Sequence, residues 1–560
     1  MVFMKLFLKL VLITCFVPLM LAACSTGGSG TPGNGNVSMK ITFSDTQGKI
    51  VGKIGEKTVS RLPLSSLKLT VTPSTPSNYT PAQMELISAY NSGTQTIDIP
   101  SLTDNETYSF KVMAYDNSGN LVYLGETSAV VLPAGSVVAV NCLTYTGSSA
   151  TLLSEGKALL ASRDLVTAKD KLMMSTHSSL INDEAKLYYS LARVMSMYDN
   201  VGSSSNSQMD SIKKILDSSG ISYFSLKTLA NSTTPQKITL PKQLPATTPR
   251  AGDVRNYVRY YLLPEIDGAI SNLSEIKSGF STTFSPVAYK LQGNDIVIDY
   301  ADVMVLRTLL YQAKASVAMA TAYNFDFNIV DNINKSIPDL NFYKKQTHGD
   351  LFDIATLLQN NKNIGTIGEA TLLTVAKTAY DTFVSNYESA FNLIKARGGQ
   401  SQYLFVLDVA LPNKRTLNLK TQNVNNGLNS ALQVQKALNG RTTWAYPVVP
   451  ATGSQASIMS PSFVFSFATR PDTNNTVNLS KFFNSAQPVN LRTAFVNCTS
   501  RTLFDLTQDR TLGGIYPSGY TVSPIYNTSP GWVGRHHGGW DIDSFILTTS
   551  KADIVTGLCN

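Results

Sequence analysis

The sequence predicts a chain of several domains: an N-terminal all-β sandwich, a mainly α-helical domain and an irregular C-terminal lobe. Three observations predict this order. Apolar and polar residues alternate in short, turn-bounded runs over residues 37–146, which is typical of half-buried strands. Apolar residues recur at helical spacing over residues 150–440. Proline, glycine and aromatic residues interrupt that spacing over residues 441–560, where loops and short strands are expected to pack on the helical domain.

Residues 1–23 have the composition of a secretory signal peptide. Lys5 and Lys9 accompany an apolar run over residues 10–21, and small residues follow it. A cationic start, a short apolar core and a small-residue cut site are typical of export. The run is too short to cross about 30 Å of hydrocarbon comfortably.

The end of this segment, Leu21-Ala22-Ala23-Cys24, resembles the lipobox of bacterial lipoproteins. The resemblance implies that Cys24 becomes the mature N-terminus and carries diacylglycerol and an acyl chain such as palmitate. Several acyl chains together anchor a protein stably in membrane lipid. Ser25 stands where an aspartate would favour inner-membrane retention in enteric-type Gram-negative bacteria, so the resemblance implies the outer membrane. The alternative is an ordinary secretory signal with a chance cysteine.

Residues 24–36 are rich in glycine and serine and predict a flexible tether. The sandwich follows in five alternating runs, which read VSMKITF, LKLTVTP, YSFKVMAYD, SAVVL and SVVAVNC. The stretch over 102–120 resembles the end of a fibronectin type III or related immunoglobulin-like domain. Leu102 and Tyr108 have the spacing of its tyrosine corner, and residues 116–120 fit its last hairpin turn. Asp104 departs from that family, which often has proline there.

Three helices are expected over residues 152–199, with a turn at Arg163-Asp164 and a third helix over 183–198. The residues that carry a family pattern are Gly156, Leu159, Ala168 and Leu172. Their spacing resembles a degenerate tetratricopeptide repeat, which implies small residues where helices cross and neighbours that bury the open face.

Later helices are predicted from local signals. Pro264 predicts a kink. Thr366 and Glu369 predict a capping box at the start of a long helix. Asn439-Gly440 predicts the end of a shorter helix.

Composition excludes several classes of function. The net charge is +8, but no run of lysine and arginine forms a patch for nucleic acid. No CxxC pair, P-loop or dinucleotide-binding motif is present, and no cofactor is predicted. An exported setting permits a disulfide between Cys498 and Cys559, which would leave Cys142 as a buried free thiol.

The candidate binding segment is the loop over 531–543, GWVGRHHGGWDID. Its candidate ligand-binding residues are Trp532, Arg535, His536, His537, Trp540 and Asp541. Indole rings beside planar polar groups are typical of a sugar or peptide site. Three alternatives stay open: a metal site using Asp541 or Asp543, a hydrolase site with a His–Asp pair, and a glycine-rich loop whose tryptophans fill the core of the lobe.

These observations favour a membrane-anchored lipoprotein of the cell envelope with a non-catalytic binding or scaffolding role. Its expected partners are membrane lipid through Cys24 and an envelope protein or glycan, and no nucleic acid. The first alternative is a glycan- or nutrient-binding lipoprotein of an uptake system. The second is a hydrolase that uses the loop His536 to Asp543.

Overall fold

The computed structural model describes most of the N-terminal two thirds of the chain. The described residues are 34–44, 53–54, 57–58, 66–73, 85–89, 95–103, 106–116, 118–131, 136–145, 148–162, 164–177, 182–199, 211–221, 241–285, 294–324, 327–336, 363–397, 401–409, 416–443, 476–483, 485, 496–497 and 502–503. They form an N-terminal β-sheet region followed by helical regions, which confirms the predicted order of β and α structure.

The β-sheet region contains seven hydrogen-bonded strands in the order β5-β4-β7-β8-β9-β1-β6. Their bounds are β1 Asn34–Ser44, β4 Ser66–Pro73, β5 Glu85–Ala89, β6 Gln95–Thr103, β7 Thr107–Tyr115, β8 Leu121–Val130 and β9 Ser136–Thr144. Strands β2 (Lys53–Ile54) and β3 (Lys57–Thr58) form a separate short ladder. Within the sheet β1 and β9 are parallel, and the other neighbours are antiparallel.

Alternate residues of these strands bury one apolar cluster. Its members are Met39, Ile41, Leu67, Leu69, Val71, Ile99, Leu102, Tyr108, Phe110, Val112, Ala114, Tyr123, Val131, Val138, Val140 and Cys142. The two halves of the sheet, β5-β4-β7-β8 and β9-β1-β6, are joined where β8 and β9 pair at only two positions, Tyr123–Thr144 and Leu124–Leu143. Side chains from both halves share this core. The burial of each large apolar side chain contributes about 1.5–3 kcal/mol to the stability of the fold.

Two local features of the sheet match the sequence pattern. The Tyr108 hydroxyl accepts a hydrogen bond of 3.0 Å from the backbone N–H of Thr103, five residues upstream. In the turn between β7 and β8, Asp116 Oδ1 accepts the backbone N–H groups of Ser118 and Asn120. Gly119 has a φ of 79° there, a conformation that favours glycine.

The helical regions begin directly after β9. The helices are α1 Ser149–Ser162, α2 Leu165–Ser175, α3 Asp183–Asp199, α4 Ile212–Ser218, α5 Ala251–Tyr257, α6 Leu263–Ser274, α7 Tyr300–Ala322, α8 Ile329–Ser336, α9 Thr371–Ala396 and α10 Thr421–Leu438. The first three confirm the expected helices over 152–199. Asp164 caps α2 by accepting the backbone N–H of Thr167, which is a typical N-cap bond.

Gly156 lets α1 and α2 approach each other closely. A Cβ at this position would lie 2.6 Å from Leu172 Cγ. The glycine therefore stands at a helix contact, as the spacing of small residues predicts.

The segment around Pro264, where the sequence predicts a kink, contains a π-helical turn. Helix α5 passes into a π-helical segment, Val258–Leu262, which continues into α6. The backbone N–H of Leu263 bonds to Val258 O, five residues earlier. Proline lacks an N–H and crowds the carbonyl four residues before it, and the wider π turn directly precedes Pro264.

The predicted capping box at Thr366 and Glu369 is wrong. Helix α9 begins after Ala370. The Glu369 carboxylate instead accepts hydrogen bonds from Arg255 and Arg259, two buried arginines more than 100 residues away in sequence. The end of α10 agrees with the sequence, because Asn439 caps it and Gly440 has a positive φ.

Helix α7 lies at the centre of the helical core and packs along α9 and against α6. Short ladders flank these helices: β10 Ser281–Phe284 with β11 Ile296–Asp299, and β12 Phe405–Leu407 with β13 Leu417–Leu419. Further along the chain are β14 Arg441–Thr443 with β15 Thr476–Asn478, and β16 Val496–Asn497 with β17 Thr502–Leu503. Leu479 and Phe483 of the C-terminal part are buried in the same core.

The sheet region and the helices share an apolar contact. Leu124 of β8 and Leu143 of β9 belong to the helical core, and Met113 packs against it. Within the residues that the structure describes, no helix is long and apolar enough to cross a membrane.

Candidate functional site

A buried group of charged side chains joins the sheet region to the helices. Arg193 of α3 is at its centre, with 2% of its side chain exposed. Its Nη1 donates to Glu126 Oε1 of β8 at 2.9 Å, and its Nη2 donates to Ser128 Oγ of the same strand at 2.9 Å. Its Nε donates to Glu265 Oε2 of α6 at 2.8 Å. One guanidinium therefore binds a strand and a second helix at once.

Two more basic side chains complete this group. Lys169 of α2 donates to Glu265 Oε1 at 2.6 Å. His177, just after α2, places Nε2 3.9 Å from Glu126 Oε2. We call the six residues Glu126, Ser128, Lys169, His177, Arg193 and Glu265 the Arg193 junction.

The local sequence explains how the junction forms. Arg193 lies in the apolar stripe LYYSLARVMSMY of α3, whose neighbours Ala192 and Val194 are buried. Gly268 of α6 leaves the space that the guanidinium occupies, because a Cβ there would overlap Arg193. The Tyr189 ring lies 5.4 Å from the guanidinium carbon, within the range of a cation–π contact.

The charges of the junction are mutually stabilised. Burial acts to raise the pKa of Glu126, but the contacts with His177 and Arg193 outweigh it and bring the pKa to about 2. Burial acts in the same way on Glu265, and Arg193 with Lys169 holds the pKa of that carboxyl below its usual value. Both carboxylates are therefore ionised at neutral pH, and the guanidinium stays protonated beside them.

A second set of buried ion pairs continues along the helical core. Lys314 of α7 lies 2.6 Å from Asp267 of α6. Arg259 Nε donates to Glu369 Oε2 at 2.8 Å, and Arg255 Nη2 lies 3.4 Å from Glu369 Oε1. The two arginine contacts join the π-helical turn and α5 to Glu369, which lies two residues before the start of α9.

A separate clamp fixes the C-terminal end of α9. Arg397 bonds to Asp302 in α7, to the adjacent Asp299 and to the backbone carbonyl of Phe405. Its guanidinium also lies over the Tyr403 ring, 4.1 Å from the centroid. Helices α7 and α9 and strand β12 are held together at this point.

The residues of the predicted binding loop lie outside the described residues. They are Trp532, Arg535, His536, His537, Trp540, Asp541 and Asp543. The lipidation residue Cys24 and the pair Cys498 and Cys559 also lie outside them. The structure therefore does not bring together or separate these side chains, and their roles stay predictions.

Cys142 is described, and it is a fully buried free thiol in the sheet core, which confirms the expectation for this residue. Burial raises the pKa of the thiol, which disfavours the nucleophilic thiolate. Among the described residues no group of three or more His, Cys, Asp and Glu side chains could hold a metal ion.

Compared with family models, with curated proteins and with solved structures, the chain matches none.

The residues of the Arg193 junction are absent from the sequence-based candidates. The signal that could have found them is a single charge within an otherwise apolar helix stripe, as at Arg193 and Glu265. Such a charge is rarely buried unless it is paired. His177 had no visible partner in the sequence, since its neighbour Glu126 lies in the sheet region.

Proposed function

We propose that this chain is a membrane-anchored lipoprotein of the cell envelope with a non-catalytic scaffolding or binding role. The observation that supports scaffolding is the Arg193 junction. Glu126 and Glu265 belong to different elements and are bound by the same guanidinium. Breaking a buried pair of this kind leaves an uncompensated charge, so the junction resists separation of the sheet from the helices.

The sheet region is proposed to be an immunoglobulin-like sandwich. Two observations support this identity: the bond from Thr103 N–H to the Tyr108 hydroxyl, and the apolar core shared by the two halves of the sheet. A tyrosine corner ties the Tyr hydroxyl to backbone a few residues upstream. The parallel pairing of β1 with β9 joins the first and last strands of this region.

Helices α1 to α3 are proposed to be tetratricopeptide-like. The support is the close approach of Gly156 to Leu172 and the order of three consecutive helices. Repeats of this type need neighbours to cover their open face. Here the sheet region and α6 lie against α3, through Glu126 and Glu265.

The anchor is proposed to be lipid on Cys24, in the outer membrane, followed by the tether over 24–36. An anchor of this kind raises the local concentration of the protein at the membrane surface. The proposed partner is an envelope protein or a glycan, which would contact the helical surface or the loop over 531–543. No step of this proposal requires a cofactor.

The anchor is tested by fractionating cells that produce the full chain. Cys24→Ser should abolish lipidation and move the protein from the membrane fraction to the soluble fraction. Cys15→Ser, in the apolar run of the signal, is the matched control and should leave the protein with the membranes. A Cys24→Ser protein that is processed normally and stays in the membrane fraction contradicts the proposal.

The partner class is tested on a glycan array and by turnover assays. Loss of glycan binding in a Trp532→Ala, Trp540→Ala double variant would favour a glycan-binding lipoprotein of an uptake system. Loss of turnover in His536→Ala and His537→Ala, at an unchanged melting temperature, would favour a hydrolase. A scaffold predicts neither effect and predicts cross-links to envelope proteins in cells.

A further inference from the structure

His177 is a buried histidine at the contact between the sheet region and the helices. Only 10% of its side chain is exposed. Its Nε2 has no hydrogen-bond partner among the described residues, and the nearest acid is Glu126, at 3.9 Å. A neutral imidazole can be buried at this position, but a buried imidazolium needs a compensating negative charge.

The acidic groups near His177 already have cationic partners. Glu126 Oε1 receives Arg193 Nη1 at 2.9 Å. The strand register places Lys111 of β7 directly opposite Glu126. Glu275, at the end of α6, lies 3.1 Å from Lys186 of α3.

A proton on His177 would therefore add a positive charge beside Glu126, the nearest acid, whose negative charge already balances Arg193. Lys111, Arg193 and Lys186 already supply positive charge from β7 and α3, against Glu126 and Glu275. The Asp183 carboxylate at the start of α3 lies 3.9 Å from Lys186. Burial lowers the pKa of His177 below its ordinary value, and the contact with Glu126 offsets this only in part.

We infer that His177 makes the contact between the sheet region and the helices sensitive to pH. Above the ordinary histidine pKa the imidazole is neutral and the sheet stays docked. As the pH falls below the ordinary histidine pKa towards the lowered pKa of His177, proton uptake favours a conformation in which the ring reaches water. That conformation requires β8 to separate from the end of α2, so acidification loosens the docked sheet.

This inference rests on the geometry of the Arg193 junction and does not depend on a lipid anchor. It is tested by hydrogen–deuterium exchange on the full chain in detergent, at pH 7.5 and pH 5.0, with exchange times scaled for the intrinsic effect of pH. Wild type should lose protection in β8 and α2 at pH 5.0, while α9 keeps its protection. His177→Gln, which cannot gain a proton, should keep the protection of β8 at both pH values.

His348→Gln is the matched control and should behave as wild type. An equal loss of β8 protection in wild type and His177→Gln would overturn the inference, as would full protection of wild-type β8 at pH 5.0. A second measurement needs no variant: exchange of the imidazole C2 hydrogen reports the pKa of His177 in the native chain. A pKa at or above the unfolded value of about 6.5 would also overturn it.

Discussion

The guanidinium of Arg193 lies directly against the backbone of Gly268, in space that any side chain at that position would occupy. The contact places the middle of α3 on α6 at the point where Glu265 binds the same guanidinium. A glycine is required here because the Arg193 guanidinium approaches the backbone closely, and not because the backbone conformation favours glycine. The pairing of one arginine with one glycine therefore sets the position of the whole junction.

Gly268→Ala should destabilise the chain strongly. The new Cβ would displace the Arg193 guanidinium from Glu126 and Glu265, and overpacking adds to the loss of the ion pairs. We expect the free energy of unfolding to fall by about 3 kcal/mol or more, measured by urea denaturation. Gly279→Ala is the control, because a Cβ at Gly279 meets nothing within 4 Å. Equal stability of the two variants would contradict the role of this contact.

Arg193 and Glu126 should be strongly coupled in a double-mutant cycle. Arg193→Met leaves two buried carboxylates without their partner, so this variant should lose about 3–5 kcal/mol of stability. Adding Glu126→Gln should recover part of that loss, with a coupling energy of about 2 kcal/mol. The same cycle on the exposed pair Lys213–Asp217 should give below about 0.5 kcal/mol. If the stability changes of the two substitutions were additive, the proposed coupling of Arg193 and Glu126 would be refuted.

Local patterns in the sequence predicted the elements, because they depend on residues close together in the chain. The alternation in YSFKVMAYD predicted β7, the strand in which the Tyr108 hydroxyl accepts the backbone N–H of Thr103. The junction could not be predicted in this way, since Glu126 lies 67 residues from Arg193. A lone arginine in an apolar stripe indicates a buried charge, but only the packing of distant elements identifies its partner.

The wrong prediction at Thr366 and Glu369 has the same cause. A local capping bond contributes about 1 kcal/mol, whereas Glu369 is the carboxylate that accompanies two buried arginines. The long-range requirement therefore determines where the Glu369 side chain lies. The sequence could place the start of α9 within a few residues, but it could not identify this use of the glutamate.

Glu369→Gln should reveal which role the carboxylate has. Removing its charge takes away the carboxylate that both Arg255 and Arg259 contact, so we expect a loss of about 3 kcal/mol in stability. If Glu369 only capped the helix, Glu369→Gln would lower the stability by about 1 kcal/mol, because glutamine keeps much of a capping bond. Glu388→Gln on the exposed face of α9 is the matched control and should change stability by less than about 0.5 kcal/mol. Thermal unfolding, followed by circular dichroism, measures the stability of wild type and of the two variants.

Asp170 on α2 should destabilise the native chain at neutral pH. Burial raises the pKa of Asp170 from 3.8 to about 6, although Lys169 acts against this, and the ammonium of Lys169 is bound to Glu265. A raised carboxyl pKa means that the native state takes up protons more readily than the unfolded state. Stability from this residue therefore increases as the pH falls from 7 towards 4.

Asp170→Asn removes the ionisable group and should raise the free energy of unfolding by about 2 kcal/mol at pH 7.5. The full shift would correspond to about 3 kcal/mol, and partial exposure of the side chain reduces it. The difference between variant and wild type should shrink towards zero as the pH falls to 4, because Asp170 is then protonated in the native state and nearly half protonated in the unfolded state. Urea denaturation at both pH values measures this difference, with the exposed Asp217→Asn as control. A constant difference across this pH range would show that Asp170 is not perturbed by burial.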